Sequence, residues 1–244
     1  MLPLVILEFS WNYFRVSLVL PPWGILSPHE HFSGERLSLN AVGNFIQNGG
    51  VMMYPLILCS IILVSLAVER AIVLRKASVD GDELLEEIKK VFTPGGDATE
   101  AIETAKSFGG PIGRMFARGL RNSGRGADVI EMAMEQEAAN ETPNLEANLP
   151  IIKTIVNIAP LLGLLGTIAG MITAFRAAAA VGLSNPTQIL GGISEALIST
   201  ATGISLAVVG FIVYNYFANV VRKLIEDMEF YGAELVNYLT GRLD

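Results

Sequence analysis

Three long stretches of this 244-residue chain are almost free of charge, and they limit its fold more than any other feature. The first runs from Val51 to Val68, inside a charge-free span that begins at Leu37. The second runs from Thr154 to Phe175, between Lys153 and Arg176. The third runs from Ala177 to Val221 and is interrupted only by Glu195. An apolar helix of about 20 residues crosses the roughly 30 Å hydrocarbon layer of a bilayer. The first stretch reaches that length if it continues past Glu69 and Arg70. The alternative, buried core helices of a large soluble protein, is usually met by shorter helices. The sequence therefore reads as an all-α integral membrane protein with transmembrane helices at 51–75, 153–176 and 190–221.

The charges cluster elsewhere. Of 41 charged residues, 21 lie between Asp80 and Glu146. With 51% apolar and 17% charged residues, disorder is excluded and an ordinary soluble enzyme is disfavoured. The net charge of −7 and pI near 5.0 argue against a nucleic-acid binder, which needs a basic face. A single cysteine, Cys59, excludes an intrachain disulfide framework and a multi-cysteine zinc site.

Basic flanks give the orientation. Arg70, Arg75 and Lys76 follow the first span, Lys153 precedes the second, and Arg222 and Lys223 follow the third. Segments 76–152 and 222–244 are expected to be cytoplasmic. Segment 1–50 and the loop 177–189 are expected outside, with Arg176 as the one residue against the rule. Segment 76–152 reads as a helical domain: Asp80–Val91, Asp97–Ser107, a basic amphipathic helix Ile112–Arg121, and a long helix from Asp128 through Glu146 that runs on into span two. Pro143 and Pro150 would bend or start that helix. Its charge runs are solvated faces.

Leu2–Leu20 is apolar on average but holds Glu8, Asn12 and Arg15. It lacks the basic start and small-residue cleavage site of a signal peptide. An extracytoplasmic or interfacial segment, or an extension upstream of the natural start, fits better than a fourth span. His29, Glu30 and His31 lie in a Pro/Ser-rich loop without a further ligand, so solvated surface is expected there and no metal site.

Inside the membrane, span two carries Gly163, Gly166 and Gly170, small residues that let helices approach closely. No phosphate-loop spacing accompanies them. Span three carries Glu195, Ser199 and Thr202 at i, i+4, i+7, on one face, with Thr200 on its flank. An intramembrane carboxylate costs about 2.5 kcal/mol or more at the bilayer centre unless it meets a partner or water. Glu195 is therefore expected to face a protein interior or cavity. The alternative is a wet position at the outer end of the span. Together these residues look like the lining of a polar seam. Three spans without an internal repeat are few for a self-contained carrier, so a closed ring of copies is the natural way to bury such faces.

These motifs resemble the MotA/TolQ/ExbB proton-channel family. The matching stretches are Phe45 to Pro55 with Glu69-Arg70, Gly109-Gly-Pro with Gly119-Leu-Arg121, Ala159 to Ile172, and Gly192 to Gly203 with Tyr214-Asn215. The similarity covers roughly 41–225. Many relatives carry a proline six residues after the glycine matched by Gly203; here Val209 stands there, so no proline-dependent bend carries over. Three spans with one large cytoplasmic region resemble the ExbB/TolQ branch. The resemblance implies a homopentamer around the single-span helices of two ExbD/TolR-type partners, whose aspartate takes up and releases protons. It implies a TonB- or TolA-type effector beyond them, and proton-driven work such as TonB-dependent-type uptake or Tol-Pal-type envelope maintenance. Thr167, Thr200 and Glu195 match positions lining the pore, with Ser199 and Thr202 beside them; Gly163, Gly166, Gly170 and Gly203 serve helix packing. No cofactor, nucleic acid or catalytic constellation is implied; the proton is the transported ion, and membrane lipid is the surrounding partner. The expected location is the bacterial inner membrane. A non-conducting membrane scaffold is the competing reading.

Overall fold

The computed structural model describes residues 7–11, 14–18, 46, 48–181 and 186–242. The chain divides into two units, Met1–Val42 and Gly43–Asp244. In the first, β1 (Leu7–Trp11) and β2 (Phe14–Leu18) pair antiparallel, with Leu7 opposite Leu18 and Trp11 opposite Phe14. The all-α expectation therefore holds for the described residues of the second unit and not for this short hairpin. The reason is in the sequence. Leu-Glu-Phe-Ser-Trp and Phe-Arg-Val-Ser-Leu alternate apolar and polar with period two, the strand period, which an averaged hydropathy conceals. His29 to His31 and most of segment 1–50 lie outside the described residues.

Among the described residues the second unit contains seven helices: α1 (Met53–Ala77), α2 (Gly81–Val91), α3 (Thr99–Phe108), α4 (Gly110–Leu120), α5 (Ala127–Glu146), α6 (Leu149–Val181) and α7 (Pro186–Thr240). Three of its helical rods are long and apolar enough to cross a membrane, and only 17–28% of the residues in their apolar windows are buried. Leu161, Leu164 and Ile168 of α6 and Leu197, Ile204 and Phe211 of α7 are exposed. A water-soluble chain does not leave so large an apolar surface uncovered.

The helices α2 to α5 form a bundle around the far end of α7. Asp80 caps α2, its carboxylate accepting from the amides of Asp82 (3.0 Å) and Glu83 (3.3 Å). Acids in the first turn and Lys89 and Lys90 in the last complement the helix dipole. Leu84, Leu85 and Ile88 fall on the buried stripe. The turn before α4 uses Gly109 and Gly110, both at positive φ (70° and 63°), and a side chain on Gly110 would also collide with Val79 at 2.7 Å. The α4 helix is apolar on nearly every side but one, where Arg114 forms a paired hydrogen bond with buried Glu141 of α5 (2.5 and 2.6 Å). Tyr238 of α7 donates to the carbonyl of Phe92 at 2.6 Å and ties the end of α2 to the bundle. Here the large core sits, with Phe92, Ile112, Phe116, Leu120, Ile130 and Leu235 all buried. In the apolar half, among the described residues, a second and smaller core cluster of buried residues comprises Met53, Leu56 and Ala159.

The expected continuous helix from Asp128 into span two is broken. The helix α5 stops at Glu146, Ala147 is extended, and Asn148 takes the left-handed conformation (φ 63°) before α6 starts at Leu149. Asn tolerates that conformation better than most residues. Pro150 then sits in the first turn of α6, where its missing N–H costs no helical bond. The helix that carries the third span continues past 221. The helix α7 runs 55 residues without interruption, about 80 Å at 1.5 Å per residue. At the other end α6 reaches Val181 and α7 begins at Pro186, so most of the segment read as loop 177–189 is helical; residues 182–185 lie outside the described residues.

Candidate functional site

The helices α6 and α7 pack against each other over backbone, because glycine faces them at successive turns. A side chain on Gly203 would stand 2.5 Å from the carbonyl of Ala159 and 3.0 Å from Gly163 Cα. One on Gly170 would stand 2.6 Å from the carbonyl of Gly192, and one on Gly166 would stand 2.2 Å from the Ser199 hydroxyl. Gly163 itself lies 3.1 Å, measured from the same virtual Cβ, from Thr200 Cα. Such close approach brings side chains of the two helices within direct hydrogen-bond reach.

The result is a hydroxyl cluster. Thr167 of α6 and Thr200 of α7 hydrogen-bond to each other. Both hydroxyls also lie within reach of the Gly163 carbonyl, Thr200 Oγ1 at 3.0 Å and Thr167 Oγ1 at 3.3 Å. Each hydroxyl carries one proton and accepts others. Two donor orders are therefore open: Thr167 to Thr200 to Gly163, or Thr200 to Thr167 to Gly163. Both threonines are half-buried, so the cluster sits at the rim of the α6–α7 seam rather than inside it.

Glu195, Ser199 and Thr202 lie elsewhere on α7. Ser199 is fully enclosed, its hydroxyl against Gly166 and donating to the carbonyl of Ala196 at 3.0 Å. Thr202 donates back to Ile198 at 2.8 Å, the usual self-satisfaction of a helical hydroxyl. Glu195 is half-buried and folds over the backbone of Gly50, just before α1. A side chain on Gly50 would stand 1.6 Å from Glu195 Oε1 and 2.2 Å from its Cδ. The i, i+4, i+7 stripe thus turns toward helices of its own chain. Glu195 is about 140° around α7 from Thr200, and about 7.5 Å along it.

A polar network that spacing did not single out holds the other end of α1. Arg70 is 4% exposed. Its Nε and Nη2 donate to both oxygens of Glu69 (2.7 and 2.5 Å), and its Nη1 donates to the carbonyl of Asn144 at 3.1 Å. Asn148 Nδ2 donates to Glu69 Oε2 at 3.0 Å. The α5–α6 elbow is therefore fastened to α1. The available signal was an acid–base pair at the end of an apolar run, where a solvated flank is the ordinary reading. Among the described residues no cluster of His, Cys, Asp or Glu is arranged to hold a metal ion.

Comparison with known proteins agrees with this architecture. The family description "MotA/TolQ/ExbB proton channel family" matches residues 109–230. A biopolymer transport protein described as ExbB-like 3, from Synechocystis sp., is 31% identical over 180 residues, covering 72% of this chain and 82% of that one. A biopolymer transport protein ExbB homolog from Methanothermobacter thermautotrophicus is 29% identical over 206 residues, covering 84% of this chain and 70% of the relative. The Tol-Pal system protein TolQ of Pseudomonas aeruginosa is 37% identical over 89 residues, 36% of this chain and 38% of its own. A glycine-lined helix pair carrying the Thr167–Thr200 cluster, three apolar rods and these similarities converge: the chain belongs to the MotA/TolQ/ExbB proton channel family, in its ExbB/TolQ branch.

Proposed function

We propose that this chain is the channel-forming subunit of an ExbB/TolQ-type motor in the bacterial inner membrane. Five copies close into a ring around the single-span helices of ExbD/TolR-type partners. Proton entry then drives work at the cell envelope through a TonB- or TolA-type effector. The N-terminus lies outside and the charged bundle and the end of α7 lie in the cytoplasm, as the basic flanks favour. The observation that carries the reading is the hydroxyl cluster at the exposed rim of the α6–α7 seam. The uncovered apolar faces beside it call for lipid and sister copies.

In this reading the two threonines relay protons. A proton arriving from water at one hydroxyl is accepted there, that hydroxyl passes its own proton to the second, and the second releases its former proton to water, so one proton enters, one leaves, and the donor order reverses. The Gly163 carbonyl only accepts hydrogen bonds and orients the two hydroxyls. Ser199, enclosed within the chain, packs the seam and takes no part. Glu195 supplies the acid on the α1 side. One charge crossing the membrane releases about 2.3 kcal/mol per 100 mV, which is the energy available per proton for moving ring against partner.

The test is proton flux in proteoliposomes holding the chain with its single-span partner. Thr200→Val and Thr167→Val keep the shape and remove the hydroxyl. Each is expected to lower flux by about a hundredfold or more, the order of a lost proton-transfer group, with ring assembly intact. A non-conducting scaffold would dissipate no pH gradient even as wild type, and that outcome would replace this reading.

A further inference from the structure

Glu195 has no hydrogen bond or ion pair among the described residues, yet its carboxylate has a seat. The seat exists because residue 50 has no side chain. Gly50 adopts φ 70°, and a Cβ there would overlap Oε1, Cδ and Cγ of Glu195, at 1.6, 2.2 and 2.6 Å. The neighbouring contacts fix the seat in place. Gly49 packs on Met53 and lies near Ile198, one turn along α7 from Glu195, and Met52 reaches Gly166 of α6. The amino end of α1 has no acidic residue in its first turn and no side-chain cap from Met52. A helix start of that kind carries uncompensated partial positive charge. The acid that α1 lacks is brought by α7.

We propose that Gly50 is the positioning residue for Glu195: its bare backbone receives the carboxylate and docks it at the amino end of α1, coupling span one to span three. The proposal rests on the channel reading for its importance, since it fixes where the intramembrane acid resides. Its geometry stands without that reading. The Glu195 side chain is held on the α1 side, away from the Thr167–Thr200 cluster, and leaves only when α1 and α7 separate or the carboxylate swings out. A side chain at position 50 removes the docked state.

Two measurements test this, and neither needs proton conduction, so their failure is separable from failure of the channel reading. The first is labelling of Glu195 by dicyclohexylcarbodiimide in the assembled chain, read by mass spectrometry. Gly50→Ala and Gly50→Asn are compared with wild type; Asn accepts positive φ, so it fills the seat with less backbone strain. Both are expected to raise the labelling rate about fivefold, the scale of anion attraction at a helix start. The second is a double-mutant cycle on thermal stability with Glu195→Ala. The cost of Gly50→Ala is expected to fall by about half or more when Glu195 is absent, because the collision is gone and only backbone strain remains. Where a Gly50 variant does not assemble alone, recovery of assembly in the Glu195→Ala background supports the seat. Unchanged labelling in both variants, an equal cost in both backgrounds, or failure to recover assembly overturns it.

Discussion

A threonine in a membrane helix normally satisfies its hydroxyl on its own backbone, as Thr154, Thr173 and Thr202 do here. Thr200 does not: it reaches across to α6, to the Gly163 carbonyl and the Thr167 hydroxyl. The difference is the glycine opposite. Thr200→Ser keeps the donor and acceptor and is expected to retain flux within about threefold, whereas Thr200→Val loses it; flux assays on the two variants side by side check this. The same residues show what the sequence could and could not disclose. That Glu195, Ser199 and Thr202 share a face follows from 100° per residue. Which neighbour that face meets does not, because it depends on where α1 packs. Thr167 and Thr200 are 33 residues apart, and no spacing rule joins them; family resemblance marked both, and only the packed helices supply their hydrogen bond. Gly50 lay within the family-matching stretch Phe45 to Pro55, but nothing in its spacing tied it to Glu195.

At the scale of elements, the elbow between α5 and α6 sets how the charged bundle meets the apolar rods. Its polar fastening is unequal in exposure. Arg70 is almost fully buried, while Glu69 retains 40% of its side-chain exposure. Removing Arg70 strands the Asn144 carbonyl and leaves Glu69 with Asn148 alone. Arg70→Ala is therefore expected to cost about 2 kcal/mol, and to raise proteolysis at 146–149, which is the measurement that checks it. A second pair, between α4 and α5, has the opposite asymmetry: the Arg114 side chain is 51% exposed and that of Glu141 only 10%. Hydrogen bonding to Glu141 holds the Arg114 guanidinium above its ordinary range. Arg114→Ala leaves a buried carboxylate without its partner, whereas Glu141→Gln leaves an arginine that water can solvate. The first is expected to be worse by about 1–2 kcal/mol, read as the difference in melting of the detergent-solubilised protein. The elbow itself was half legible. Pro150 marked a helix start, but Leu145, Leu149 and Ile152 keep helical spacing across Asn148 and favoured continuity, and a single left-handed residue leaves no mark on periodicity. The hairpin at 7–18 was legible by alternation and hidden by averaging.

Across the whole unit Gly43–Asp244, the two halves differ in what holds them. The bundle has its own core, centred on residues such as Phe116, which is fully buried. The apolar rods bury little within one chain, and Leu164 on α6 keeps 56% of its surface exposed. Burial that one chain does not provide must come from lipid or from other copies, and only the second changes with assembly. Phe116→Ala is expected to cost about 3–5 kcal/mol through the cavity it opens, loosening α2 to α5 while the rods stay in the membrane. Leu164→Ala is expected to leave the fold of the single chain within about 0.5 kcal/mol. If its face meets a sister copy, the same substitution lowers the oligomer fraction. Native mass spectrometry of both variants, with proteolysis of the bundle as the second readout, separates the outcomes. Loss of the bundle with the oligomer retained for Phe116→Ala, against loss of the oligomer with the bundle retained for Leu164→Ala, locates the copy-to-copy contact on α6. An oligomer unchanged by Leu164→Ala places that face against lipid and moves the ring interface to another face of the rods.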